Sequence, residues 1–347
     1  MCRDYSSSSA GGDNGRMLAD IVEHLVCPVC GSAVRLDGRS LACAAGHGFD
    51  VAKQGYVSLL VGSRPPGTAD SVEMVAARAA FLTAGHYAPL AGALASRVTE
   101  LVTPGSHAES FSHSPDDTPA KAYGGARVGS GRGTRPVGQD TGHGPVVVDA
   151  GAGTGYYLAA VLDAATRGVG MAFDVSKHAV RRAARAHPRL GAFVADVWRP
   201  LPIREGVADV VINVFAPRNG PEFRRILRPG GAVVVVTPAP EHLSPLVEEL
   251  GLLSVDSDKE RRVARSLAGF AETDRRAVAF DMELGAGDVL EVVGMGPSAW
   301  HTERAVLEER IASYFSPDAM KREEKVAARA AFHLSTFEVT SRSRRLP

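Results

Sequence analysis

Val146-Val-Val-Asp-Ala-Gly-Ala-Gly-Thr-Gly155 decides how this chain is read. An apolar run ending in an acid, preceded by Gly144-Pro145, predicts a buried parallel strand. Gly151, Gly153 and Gly155 then permit a tight turn and a close approach of backbone to ligand, and Tyr156 to Asp163 opens a helix. Such a loop alone would suit a dinucleotide equally well. The downstream pattern separates the readings. Met171-Ala-Phe-Asp174 and Gly191-Ala-Phe-Val-Ala-Asp196 are two further apolar runs ending in acids. Ala208-Asp-Val-Val-Ile-Asn-Val-Phe215 is a fourth strand, followed by Ala216-Pro217. Leu227-Arg-Pro-Gly-Gly-Ala-Val-Val-Val-Val236 reads as a helix end, a turn and a fifth strand. Strands alternating with helical stretches, each with polar residues at its carboxyl end, make a doubly wound α/β sheet whose ligand sits at the strand tips.

The Asp149, Asp174 and Asp196 series and the Leu-Arg-Pro-Gly-Gly turn resemble the class I S-adenosylmethionine-dependent methyltransferases. That resemblance implies a Rossmann-like, seven-stranded sheet with Asp174 at the ribose hydroxyls and Asp196 at the adenine amino group of the donor. A nicotinamide enzyme has no need of Asp196 or the Pro-Gly-Gly turn. Farther on, Leu246–Leu267 is expected to be helical, as are Gly287–Val293 and Thr302–Phe315. Ala277–Leu284 alternates as a strand, and Ala331–Val339 alternates as a late strand that closes the sheet.

A second signature lies near the start. Cys27, Cys30, Cys43 and His47 form a C-x2-C-x12-C-x3-H run, with Gly31 and Gly46 beside ligands where knuckle turns need φ > 0. Tetrahedral zinc takes thiolate and imidazole ligands of this kind, and four protein ligands leave no open position for a catalytic water. Asp37-Gly38 between Ala33–Leu36 and Arg39–Ala42 predicts a hairpin, which puts the ligands at two turns of a zinc-ribbon-like module. Three of the four cysteines lie in this run, so a disulfide reading leaves one unpaired and also needs secretion, for which no apolar signal segment is present. His24 precedes the knuckle and reads as a solvated bystander.

Together these features resemble the 23S ribosomal RNA guanine-N1 methyltransferases, a family that includes a macrolide (tylosin)-resistance branch. The resemblance rests on the zinc run, on Gly48-Phe-Asp-Val-Ala-Lys-Gln-Gly-Tyr-Val-Ser-Leu-Leu60, and on Asp70-Ser-Val-Glu-Met-Val-Ala-Ala-Arg-Ala-Ala-Phe-Leu-Thr-Ala-Gly-His-Tyr87. Thr237-Pro-Ala-Pro-Glu-His-Leu243 and Met295-Gly-Pro-Ser-Ala-Trp300 extend it. It implies that Tyr87 and His242 help hold S-adenosylmethionine beside Asp149, Gly151, Gly153, Thr154 and Gly155, and that the partner is a 23S rRNA hairpin. It also implies a homodimer. Spacing alone would read Tyr87 as a half-buried seam aromatic and His242 as a helix-start residue. No catalytic base is identified; Asn213 is a candidate for orienting the base edge. A methyltransferase for a small molecule or protein, with a purely structural ribbon, is the alternative, and a non-catalytic RNA binder is argued against by the intact glycine loop.

The expected organisation is a disordered tail at 1–22, a zinc-binding RNA-recognition module at 23–64, a helical connector at 65–103, a disordered insertion at 104–145 and the methyltransferase domain at 146–347. Within the connector, Asp70-Ser-Val-Glu73 resembles a capping box with Asp70 as the cap. The balance of 39 basic against 39 acidic residues argues against a nonspecific nucleic-acid binder and leaves room for one that reads shape. No stretch is apolar enough to span a bilayer, so a cytoplasmic protein is expected.

Overall fold

The computed structural model describes residues 16–62, 69–103, 144–252, 259–296, 304–315 and 324–340. The disorder expected for 1–15 and 104–143 lies outside these residues. Disorder expected up to residue 22 is corrected, because Arg16–Ala19 (α1) is a helical turn and Leu18 and Ile21 are fully buried. Ile21 lies over Gly191, where an added Cβ would fall 2.4 Å from its Cδ1. So short an apolar pattern has no readable periodicity; its burial comes from the sheet edge it happens to meet.

Val34–Asp37 (β1), Ser40–Cys43 (β2) and Gly48–Asp50 (β3) form an antiparallel ribbon. Asp37 pairs with Ser40, so the turn is Gly38-Arg39, one residue later than expected. Gly38 has a φ of 59° at the first central position, where two-residue hairpins favour glycine. The ribbon is continuous with the main body. Leu25, Val34, Leu41 and Val57 share one apolar cluster with Met171, Phe193 and Ile203. Val26 N also donates to Pro202 O at 3.0 Å, and Arg204 N to His24 O at 2.8 Å.

Val57–Ser58 (β4) even joins the main sheet. The other seven strands are Val146–Ala150 (β5), Val169–Asp174 (β6), Leu190–Val194 (β7), Ala208–Val214 (β8), Leu227–Pro238 (β9), Phe270–Leu284 (β10) and Val326–Val339 (β11). Their order is β10-β11-β9-β8-β5-β6-β7-β4, with β11 antiparallel to both neighbours and the remaining pairs parallel. The expected seven strands are present, and the N-terminal module adds the eighth. Every residue of β5, β7 and β8 is buried, as for strands covered on both faces.

The Leu-Arg-Pro-Gly-Gly segment is a bulge inside β9. Ala208 pairs with Leu227 and Val210 with Ala232, so Arg228 to Gly231 loop out opposite Asp209. Asp209 fills the gap, accepting from Val146 N at 2.9 Å and pairing with Arg228. Among the described residues, the charged stretch after β9 holds two helices, Leu246–Glu249 (α7) and Lys259–Ser266 (α8); Gly251, at a φ of 62°, follows the first. β10 begins earlier than its alternation indicates, because its exposed first half is held by pairing with β11.

Two connector helices, Val72–Thr83 (α2) and Ala88–Val102 (α3), pack on this framework. Ser71, not Asp70, caps α2, its hydroxyl accepting from Met74 N at 3.2 Å. Asp70 is instead paired with Arg78 one face along the helix. Tyr156–Ala164 (α4), Lys177–Ala183 (α5) and Gly220–Ile226 (α6) follow their strands, and Ala286–Gly294 (α9) and Arg304–Tyr314 (α10) come late, as expected; Thr302 lies outside the described residues.

Ile21→Ala should cost about 2–5 kcal/mol, the range for truncating a buried isoleucine. Urea unfolding would read this as a lowered midpoint, and an unchanged midpoint would show that residues 16–22 are dispensable to the sheet edge.

Candidate donor site and metal centre

The four predicted metal ligands meet. Cys27 Sγ and Cys43 Sγ lie 3.6 and 3.4 Å from His47 Nδ1, Cys30 Sγ lies 3.7 Å from Cys43 Sγ, and all four ligand atoms fall within 4.8 Å of one another. Zinc with Zn–S of about 2.3 Å and Zn–N of about 2.0 Å would set edges of about 3.8 and 3.5 Å, so the donor set fits the ion. Gly31 N donates to Cys27 O at 2.8 Å and Gly46 N to Cys43 O at 3.0 Å, with φ of 71° and 84° at the two glycines. Hydrogen bonds from Ser32, its hydroxyl first, draw the Cys30 thiol down to about 6, toward the thiolate a metal needs. His24 stays outside the cluster, but its side chain is only 15% exposed, so the expected solvation is corrected.

At the sheet, β5 delivers Asp149 and the glycine loop to the carboxyl edge. Gly151, Gly153 and Gly155 have φ of 79°, 54° and 80°, and a Cβ on Gly151 would collide with Ala216 Cβ at 2.5 Å. Gly151 N and Ala152 N both donate to Phe173 O, while Gly153 N reaches Asp174 Oδ2 at 2.9 Å and Ser176 N reaches Asp174 Oδ1 at 2.8 Å. Thr154 stands half-buried in the same loop. Asp149 is 1% exposed, and neither carboxylate oxygen has a hydrogen-bond partner. Burial first, and the charge of Asp174 second, push its pKa up to about 8. Unpaired buried carboxylate oxygens are costly, and a cationic ligand group at this tip would relieve that cost. Asp196, past the end of β7, accepts from Trp198 N at 3.0 Å and lies 3.7 Å from Arg199 Nε.

Tyr87 and His242 come from segments 155 residues apart and meet at 3.2 Å, Tyr87 Oη to His242 Nε2. Tyr87 begins α3 and is 1% exposed, so the seam aromatic is fully rather than half buried. The rings of Phe81 and Phe332 stand edge-on to it at 5.0 and 5.2 Å, and burial raises its hydroxyl well above the usual range. His242 follows β9, and Ala331 N on β11 donates to its Nδ1 at 3.3 Å. That bond places the proton of a neutral ring on Nε2, facing the tyrosine oxygen.

Asn213 lies near the carboxyl end of β8. It is 0% exposed, and its amide nitrogen donates to Ala150 O and Pro217 O, each at 2.9 Å. It braces the tips of β5 and β8 through both amide hydrogens, which leaves its Oδ1 buried without a hydrogen-bond partner. Three residues escaped the sequence reading. Arg78 lies against Gly153 and donates to Met295 O at 3.1 Å. Phe215 is 43% exposed with a φ of 56°, a conformation costing a bulky residue about 1–3 kcal/mol. Arg218 has a buried Nε with no hydrogen-bond partner.

Comparison with known proteins agrees with this geometry. The zinc-ribbon family described as RlmA, N-terminal, matches residues 25–62, and the methyltransferase domain family matches residues 147–231. The 23S rRNA (guanine(748)-N(1))-methyltransferase of Streptomyces fradiae is 45% identical over 85% of this chain and 92% of its own length. This chain belongs to the 23S rRNA (guanine-N1)-methyltransferase family. A Micromonospora griseorubida protein named for the same guanine-N1 activity is 49% identical over 87% of this chain and 95% of its own length. A Bacillus subtilis protein so named, YxjB, is 29% identical over 63% of this chain and 66% of its own. As a family member, the chain takes S-adenosylmethionine in its methyltransferase domain and zinc in its ribbon. Among the described residues no helix is long and apolar enough to cross a membrane.

Cys43→Ser removes the sulfur carried at the end of β2. Elemental analysis of the purified variant should show zinc falling from about one equivalent toward zero, as expected when one of four structural ligands is lost.

Proposed function

We propose that this chain transfers a methyl group from S-adenosylmethionine to N1 of one guanine in a 23S rRNA hairpin, and that the mark protects the host's ribosomes against a tylosin-type macrolide. The observation that carries this reading is the 45% identity to the Streptomyces fradiae guanine(748)-N1 enzyme across 92% of that enzyme's length. A small-molecule or protein acceptor has no comparable support. The same reading takes the protein as a cytoplasmic homodimer, with the ribbon gripping RNA.

The bound donor supplies an activated methyl group on a sulfonium, so alignment of acceptor and methyl can account for about 7–11 kcal/mol of the barrier without a strong base. The chain's part is to bind and orient. Asp149 suits the ammonium of the methionine portion, and Asp174 retains one lone pair on each oxygen for the ribose hydroxyls. Asp196 suits the adenine amino group. Gly151, Gly153, Thr154 and Gly155 let the backbone come close. Tyr87 and His242, joined by their hydrogen bond, form a rigid wall on the β9 side. N1 is on the Watson–Crick edge, so the target guanine must be unpaired or turned out of its helix.

Labelled methyl transfer to an unmodified 23S hairpin transcript, mapped by reverse-transcription stops, tests the reading. One stop at a single guanine is expected, and position 748 is the first to inspect. No transfer from zinc-loaded protein would sink the substrate assignment.

Asp149 gives a second test. Its carboxyl, held at about 8 in the free protein, is neutral at pH 7, and an ammonium partner favours the ionised form. Donor binding should therefore release a proton below pH 8, tighten as pH rises toward 8 and level off above it. Calorimetry in buffers of different ionisation heat reads the proton. Asp149→Asn should abolish the release and weaken binding about 10–100-fold, as when a charged hydrogen-bonding group is lost.

A further inference from the structure

We propose that Arg218 and Phe215 form the pocket that reads the target guanine, Arg218 donating to O6 while the Phe215 ring stacks on the base. The inference rests on the methyl-transfer reading above and assigns the acceptor side of the same site.

Three observations converge on one short loop after β8. First, Arg218 carries an uncompensated cation: its Nε is buried without a partner, and it makes no ion pair among the described residues. Burial alone draws its pKa down to about 10. Arg218 as a residue is only partly buried, yet a desolvated Nε–H without an acceptor is costly, and an electron-rich ligand removes that cost. Second, Phe215 holds a left-handed φ of 56° while 43% exposed, so the chain tolerates backbone strain and presents an apolar ring to solvent together. Tyr157 and Phe332 support that ring at centroid distances of 6.3 and 5.5 Å. Third, the loop abuts the donor loop. Ala216 Cβ fills the space a Cβ on Gly151 would need, and Asn213 ties Pro217 O and Ala150 O together.

A flat apolar face and an unpaired fork of N–H donors match one nucleobase well. Arginine donating to the O6 edge is the commonest specific contact to guanine, whereas adenine presents an amino donor there and is rejected. The contact also serves the reaction. N1 releases its proton to solvent, forms the bond to the methyl carbon, and the carbon–sulfur electron pair leaves on sulfur. Negative charge developing on N1 is shared with O6, where the guanidinium stabilises it.

The test is single-turnover transfer to saturating hairpin RNA, with hairpin affinity measured over a salt series and S-adenosylhomocysteine binding as the folding control. Arg218→Met should keep homocysteine-product binding and the salt slope but lose about 100-fold in rate, part of it recovered as pH rises toward the ionisation of N1 itself. Phe215→Leu should weaken hairpin binding about 10-fold, the effect of losing one stacked base. Arg218→Lys, which keeps the charge but not the fork, carries the test if the methionine variant loses product binding; a rate about 10-fold down is then expected. A rate within about 2-fold of wild type for both Arg218 variants overturns the proposal. So does a loss of affinity with a salt slope lower by about 1, which marks a phosphate contact instead. Wild-type protein that fails to methylate the hairpin at all fails the parent reading, and the pocket falls with it.

Discussion

The Asp174 carboxylate is the pin on which the donor site turns. It accepts from Gly153 N and Ser176 N, so one side chain at the tip of β6 ties the glycine loop after β5 to the start of α5. Burial favours its neutral form, but the two N–H donors favour the ionised one. The neighbouring backbone completes the shape, with Gly151 N and Ala152 N sharing Phe173 O. Once the loop is closed, α2 can lie across it. Ser176 Oγ donates to Asp70 O at 2.9 Å, and the Asp70–Arg78 pair then rests against Gly153.

The same sheet organises both ends of the chain. On one edge, β4 and the buried side chains Leu18, Ile21 and Leu25 attach the zinc ribbon to β7 and the segment around Ile203. On the other, α3 meets β10 and β11 through Arg97, Glu100, Asp274 and Arg276. The Arg276 guanidinium, with Arg97 behind it, draws Glu100 down to about 2. Glu100 and Arg276 are substantially exposed, so their pair adds no more than about 1 kcal/mol and orients more than it stabilises. The ribbon and the donor site thus share one framework, whose apolar core spans both.

The elements around the donor loop were legible because their physics is local. Buried parallel strands are continuous apolar runs, and glycines at φ of 54° to 80° betray themselves by identity. The zinc ligands were legible for a similar reason, since two knuckles bring their own glycines. What could not be read was the pairing of distant parts. Nothing in the spacing of Tyr87 and His242 shows that they touch; only the family resemblance named them. Asp70 looked like a cap because capping residues are interchangeable in sequence, while Ser71 took the cap and left Asp70 to Arg78. Phe215 read as the end of a strand, and nothing in the pattern singled out Arg218.

By itself, then, the sequence determined the class of fold, the metal ligands and the position of the donor loop, because hydrophobic periodicity, turn chemistry and ligand spacing act over a few residues. The tertiary structure decided that β4 would extend the main sheet, that Asn213 would brace two strand tips, and that the Asp149 carboxylate and the Arg218 Nε would be buried without partners. Those outcomes depend on which side chains arrive from elsewhere in the chain to accept a hydrogen bond or a charge, and burial gives such pairings, or their absence, an energy that no local pattern encodes.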